Sequence, residues 1–399
     1  MKHVLFTIIF LVAAQLCFGS SDDCLCPKQV IGSTIKMIFH LNSQTEPVAA
    51  FDTLNNRYFV AWTQNNDDIT YRVQGQLFDS HGNTLTDIFN FDSSTTSRLS
   101  DVTYNSVTRE FLVSWISDKS LWTRQLTAEA RSAGPNIKIA KFDPMWSVNS
   151  FHVIFNKTLN EYLAVYDLTR SSRSEIFLQR LDRFGKPVRK PFIEAGIKFI
   201  NPRAGYDPES NRYLLAWEGQ DTGFSRILYR IFNAFLQPLQ KSIELKSASH
   251  EEVLPRVIYH PQRRNFYLFF QDCFSCDPLR VRAISPEGDQ NESLSVSLGP
   301  VDIRDIRFNP NSQGFVVLYE TFQARSPQFA RINSAFRLSA KGVSISCQPG
   351  RQTAYSSLLY NTVADEFLAI WNFIDFSPSD DDVYAQRIRA VPLQGSCRN

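Results

Sequence analysis

Hydrophobic positions recur along this chain on two scales. On the short scale, stretches such as Arg212-Tyr213-Leu214-Leu215-Ala216-Trp217 and Glu366-Phe367-Leu368-Ala369-Ile370-Trp371 are apolar at nearly every position, the pattern of a strand covered on both faces. On the long scale, an aromatic residue closes a short apolar segment at Phe51, Tyr104, Phe155, Tyr206, Tyr259, Phe308 and Tyr360, at intervals of 53, 51, 51, 53, 49 and 52 residues. Eleven residues after each stands a second aromatic: Trp62, Trp115, Tyr166, Trp217, Phe270, Tyr319 or Trp371. Four residues before that stands a third: Tyr58, Phe111, Tyr162, Tyr213, Phe266, Phe315 or Phe367. Because neither count varies, the second and third aromatics share one face of one strand in every copy. Recurrence at one register in all seven copies points to core packing rather than to carbohydrate stacking.

Between the first aromatic and this strand lies a turn opened by Asp52, Asn105, Asn156, Asp207, His260, Asn309 or Asn361, mostly short polar side chains that bond their own backbone in tight turns. The two strands, A and B, read as a hairpin. A third, alternating strand C ends in segments such as Gln76-Leu77-Phe78-Asp79, and turns such as Asp79-Ser80-His81-Gly82-Asn83 lead to a weaker fourth, D, such as Ser293-Leu294-Ser295-Val296-Ser297-Leu298. Each copy is one four-stranded antiparallel sheet. Seven such sheets predict an all-β, seven-bladed β-propeller, spanning residues 35–390 and leaving 391–399 as a tail. Only eleven residues follow Ile388, too few for an outer strand, and residues 35–42 look like a displaced strand D. They are expected to complete the seventh blade and remove its open edge. Cys397 would then neighbour Cys24 or Cys26, which motivates a disulfide locking the closure.

The form Tyr206-Asp207-Pro208, then Asn211-Arg212-Tyr213-Leu214-Leu215-Ala216-Trp217, with third strands such as Gln179-Arg180-Leu181-Asp182, resembles a repeat of secreted seven-bladed β-propeller proteins without assigned activity. That resemblance covers the mature chain and implies a fold, not a function. Trp-Asp dipeptides, kelch Gly-Gly pairs and the Ser-x-Asp-x-Gly-x-Thr-Trp box of sialidases are missing from the sequence, so those families' activities are not carried over.

Composition sharpens the class. With 43% apolar and 21% charged residues the chain is globular, and 42 basic against 40 acidic residues leave no electrostatic footprint for nucleic acid or an anionic membrane. Met1-Lys2-His3, an apolar run from Val4 to Leu16 and Cys17-Phe18-Gly19-Ser20 read as a signal peptide over residues 1–19. The run is too short to span a membrane, and no later stretch is long enough. A secreted, extracellular protein is the expectation. Residues 20–34 form a cysteine-containing segment, and the mature cysteines are Cys24, Cys26, Cys273, Cys276, Cys347 and Cys397, six in an oxidising compartment that allow fifteen pairings. Asn156-Lys157-Thr158 and Asn291-Glu292-Ser293 are glycosylation sequons.

Candidate chemistry falls on the B–C loops. From the second aromatic to the strand C landmark the count is 15, 11, 15, 14, 14, 13 and 17, and variable loops on a fixed scaffold are where binding usually resides. Asp67, Asp68, Arg170, Arg173, Glu218, Asp221, Glu320 and Arg325 are the candidate ligand contacts, a mixed-charge set suited to an extracellular protein or glycan. Asp380-Asp381-Asp382 is a weak cation candidate, since it lacks the alternating spacing and Gly of a calcium loop. Cys273-Phe274-Ser275-Cys276 reads as a local disulfide, with no second pair for zinc. No nucleophile elbow, phosphate loop or cofactor motif is present. The alternative is a hydrolase or lyase with paired carboxylates in a central channel, where the A strands offer Asp101, Asp305, His152, Arg203 and Arg256. A structural matrix component is a third reading.

Overall fold

The computed structural model describes residues 28–393 apart from 39–42, 66–69, 93, 95, 172, 198, 221–223, 246–251, 273–277, 322–326, 347–351 and 375–381. Residues 1–19, read above as a signal peptide, the six cysteines from Cys24 onward, Asp67, Asp68, Asp221, Arg325, Asp380 and Asp381 lie outside the described residues. Seven four-stranded antiparallel sheets account for the strands, six with sequential strands side by side and the seventh joining the first described strand of the chain to its last three. Their A strands are Gln44–Asp52, Arg98–Asn105, Ser147–Asn156, Ile200–Asp207, Val253–His260, Val301–Asn309 and Gln352–Asn361. Each packs on the next around a circle that closes between the first and the last. The chain is a seven-bladed β-propeller.

Its core lies between blades rather than within one. Leu163, Val165, Ile176 and Leu178 of blade 3, for example, pack on Tyr213, Leu215 and Trp217 of blade 4. Every second and third aromatic is buried, with Trp62, Trp115, Trp217 and Trp371 among the largest fully buried side chains. Burying one large apolar side chain contributes about 1.5–3 kcal/mol. Strand B, covered by a blade on each side, therefore had to be apolar throughout.

The fixed count of eleven has a conformational cause. The residue before strand B is left-handed in every blade, with φ of 52–63° at Asn56, Arg109, Asn160, Asn211, Arg264, Gln313 and Asp365. The turn opener supplies the other half: Asp52 Oδ1, for instance, accepts from the Leu54 and Asn55 backbone N–H groups. At several blade boundaries the opener also reaches into the next blade, as Asp52 does to the Tyr104 hydroxyl and Asn309 to the Ala390 carbonyl. Asn105, Asn156 and Asn361 donate through Nδ2 to the hydroxyls of Tyr162, Tyr213 and Tyr58, at 3.1, 2.7 and 2.9 Å. The Asn156 sequon is closed in the fold, because its side chain is fully buried and its amide is held by Asn211, Tyr213, Tyr206 and the Leu159 N–H, whereas Asn291 is exposed.

The N-terminal strand closes the ring, but not the strand read from the sequence. Val30–Lys36 pairs antiparallel with Val383–Arg389, matching Val30 to Ile388 and Lys36 to Tyr384. Residues 35–42, read as that strand, overlap the true one only at Ile35 and Lys36; Met37, whose N–H still bonds the Val383 carbonyl, and Ile38 fill the core between blades 7 and 1 beside Trp62 and Ile370, and residues 39–42 lie outside the described residues. The true strand was disguised by a bulge between Ile31 and Ile35, with Gly32 at φ +67°. Gln386 Nε2 caps that bulge on the Ile31 and Gly32 carbonyls, and Lys36 pairs with Asp382. Asp382 is thus a buried partner of the closing strand rather than a free cation ligand.

Candidate functional site

Three residues before the first aromatic, each A strand contributes one side chain to a ring around the axis: Val48, Asp101, His152, Arg203, Arg256, Asp305 and Ser357. All seven line an inner cavity of about 240 Å³. A wider one of about 410 Å³, sharing Val48, His152, Arg203, Arg256 and Ser357, opens toward the end where the D–A and B–C loops leave. The order around the ring separates the charges: Arg203 and Arg256 stand on neighbouring blades, and Asp101 and Asp305 on blades 2 and 6.

The two carboxylates do the same job in both places. Asp101 accepts from its own following N–H at Val102 (2.8 Å) and from Val153 N–H of the next blade (3.0 Å). Asp305 repeats this with Ile306 (2.8 Å) and Leu358 (2.9 Å). They staple adjacent A strands. His152, 3.7 Å from Asp101, is held neutral: burial above all, and then Arg203, push its pKa down to about 4.

Every A strand carries a register irregularity where it enters the channel, as between Thr45 and Val48, Ile200 and Arg203, or Val253 and Arg256. In five blades the residue after the second aromatic bonds such a bulge, its own or the next blade's, while in the other two this position is the apolar Ile116 or Asn372, whose side chain has no hydrogen-bond partner among the described residues. Thr63 accepts from Leu99 N–H of blade 2; Asp167 accepts from the Ser150 N–H and hydroxyl and from Asn149; Gln271 donates to the Val301 carbonyl. Glu218 and Glu320, expected as ligand contacts, belong to this set. Glu218 Oε1 accepts from Asn201 Nδ2 (2.9 Å) and from Leu254 N–H of blade 5 (2.8 Å), and Glu320 pairs with Arg304. Burial raises the pKa of both, that of Glu320 to about 7 against the pull of Arg304. Both are buried behind the channel wall. Arg170 and Arg173 face each other across the blade 3 B–C hairpin, exposed, with Arg173 paired to Glu175. None of the loop candidates within the described residues lines the cavity. The strand A residues do.

Five arginines line the two cavities, and three have carboxylate partners: Arg98 with Glu46, Arg304 with Asp302 and Glu320, and Arg307 with Asp305. Arg203 and Arg256 have none within ion-pair distance among the described residues. Each donates Nη1 to the carbonyl of the proline before it, Pro202 or Pro255, at 3.0 Å, and Arg256 Nη2 reaches the Arg304 carbonyl at 3.5 Å. Burial lowers the pKa of both, and Arg256 adds to that effect on Arg203. The hydroxyls of Ser356 and Ser357, on the wall of both cavities, also lack a partner. Among the described residues no three His, Cys, Asp or Glu side chains converge as metal ligands.

No family model matches the chain, and no curated protein does. Solved structures match in fold. The chain is similar to the Dos1 propeller at 7% identity, covering 93% of this chain and 97% of that one with a TM-score of 0.55. It is similar to an oligogalacturonate lyase in complex with manganese at 10% identity, 90% and 98% coverage and a TM-score of 0.54. It is also similar to BBS1N in complex with ARL6DN at 11% identity, 92% and 98% coverage and a TM-score of 0.54. These likenesses place the chain among the seven-bladed propellers and carry its fold alone.

Proposed function

We propose that the protein is a secreted, non-enzymatic binding module that takes an extracellular protein or glycan on the face where the B–C and D–A loops gather. The observation carrying this reading is the cavity of about 410 Å³ that opens on that face and is walled by A strand residues of all seven blades, a size typical of ligand pockets. An enzyme and a propeller in complex with another protein share this fold, so the choice rests on the site. A hydrolase or lyase needs carboxylates free to move protons, and both Asp101 and Asp305 are taken up by two backbone N–H groups each. A glycan array and a pull-down of extracellular proteins with the purified chain test the reading. The expected result is saturable capture with no change in the captured molecule. Turnover of a glycan that disappears in an Asp101→Asn or Asp305→Asn variant overturns it.

A further inference from the structure

Arg203 and Arg256 are the same device built twice. Each follows a proline, each is fixed by that proline's carbonyl at 3.0 Å, and each follows a bulge residue with left-handed backbone, Asn201 (φ 52°) or Leu254 (φ 56°). One carboxylate oxygen, Oε1 of Glu218, holds both bulges. The two guanidinium groups are therefore oriented by a shared support before anything binds, which lowers the ordering cost of binding. A guanidinium offers five N–H donors; those not directed at backbone carbonyls face the cavity on two adjacent blades. Two cations without a contact carboxylate stand on adjacent blades and Arg256 disfavours the charge on Arg203, with Asp101, Asp167 and Asp305 offsetting this only from beyond ion-pair distance, whereas the three other channel arginines have carboxylates in contact. An anion between them removes that repulsion.

We infer that the channel mouth binds the acid group of an acidic sugar, with Arg203 and Arg256 clamping its carboxylate or sulfate and the polar wall taking up its hydroxyls. This deepens the binding-module reading and rests on it. The wall favours a hydroxylated ligand over an acidic peptide: beside the carboxylates of Glu46 and Asp302, which pair with Arg98 and Arg304, stand Ser100, Asn149, Ser150, Ser356 and Ser357, with Phe151 and His152 the aromatic rings on the lining. Two of those hydroxyls have no protein partner. Planar, bidentate recognition of a carboxylate is what paired guanidiniums do best. Glu218 is a positioning residue, since it touches the bulges and not the cavity.

The test is titration calorimetry on the purified full chain, at fixed ionic strength and pH 7, with D-glucuronate, D-glucose, inorganic sulfate and a short poly-glutamate peptide. Glucuronate is expected to bind at least about tenfold more tightly than glucose and sulfate, and each of Arg203→Gln and Arg256→Gln to weaken it about tenfold. The glutamines remove a buried repulsion, so the variants are expected to melt no lower than the parent. If either fails to fold, Arg203→Lys and Arg256→Lys keep the charge but lose the fork, and weakening by several-fold is expected. Equal binding of glucose and glucuronate, tighter binding of the peptide, or unchanged affinity in the variants overturns the inference. Capture on the array or in the pull-down that survives in the double glutamine variant sinks this inference and leaves the binding module standing; no capture at all sinks the binding module.

Discussion

At the end of the ring where strands A turn into strands B, all seven hairpins share one length, one left-handed residue and one opener that bonds its own backbone. At the opposite end, five blades supply a latch to a bulge and the side chain varies: Thr63, Asp167, Glu218, Gln271 or Glu320. The uniform end repeats because every turn meets the same demand of its own hairpin, and where an opener crosses to the next blade it does so on top of that local task. At the varied end three of the latches cross a blade boundary and two stay within their blade, so each must suit its particular neighbours. Charge follows the division in part. Glu218, Glu320, His152 and the two arginines without contact carboxylates lie at or behind the channel, while His260 and the tyrosines bonded by the turn openers are shifted by burial at the other end. Perturbed carboxylates, imidazole and guanidinium gathered around one cavity mark it as a place where chemistry or recognition is to be sought.

The sharpest way to break the uniform end is Asn361→Ala. It removes the amide held by Asn56 and Tyr58 across the seam between the first and last blades, together with the carbonyl that accepts the Val363 and Ala364 N–H groups. Leaving buried Tyr58 without its partner is expected to cost about 1–3 kcal/mol, read as a lower denaturant midpoint. A midpoint equal to the parent's would remove the seam's claim to be a stabilising contact.

The varied end is tested by pH. Glu252, buried with Oε1 unpartnered, has its pKa pushed up to about 7 by burial. The unfolded chain ionises this carboxyl first, so stability is lost as pH rises from about 4.5 to 7. His152, with its pKa down at about 4, acts oppositely: the unfolded chain takes up the proton first, and stability is lost as pH falls from about 6.5 to 4. Glu252→Gln is expected to gain melting temperature over the parent at pH 8 and to lose that advantage at pH 4. His152→Gln is expected to gain at pH 5 and not at pH 8. Two variants with parallel pH profiles would contradict both assignments.

The smallest effect is expected at an exposed left-handed residue. Arg109, at φ 63°, should accept glycine without loss, and Arg109→Val should destabilise by about 1–2 kcal/mol. Equal melting of the two would show that the turn does not demand this conformation.

Much of this architecture was legible. The blade count, the hairpins and the burial of the aromatics all follow from spacings inside one strand pair, where sequence distance and spatial distance run together. The ring of seven was legible too, since aligning the first aromatics puts Asp101, His152, Arg203, Arg256 and Asp305 in one register. The inter-blade latch left a signal that went unread: where the third aromatic is Tyr, the preceding blade's opener is Asn, as at Asn105, Asn156 and Asn361. Glu218 was misjudged because its partner Leu254 N–H lies 36 positions away in another blade, a distance no local pattern encodes. Its charge suggested a loop contact; its burial made it a support. The closing strand was misplaced for the converse reason, since Gly32 interrupts the alternation by which a strand is recognised.

The pairing of Val30–Lys36 with Val383–Arg389 also sets the order of events at birth. The ribosome makes Val30–Lys36 before any of the A strands and Val383–Arg389 after all of them, so the first of these strands waits for its mate until the rest of the ring has been made. Until then the nascent ring stays a horseshoe with two bare flanks.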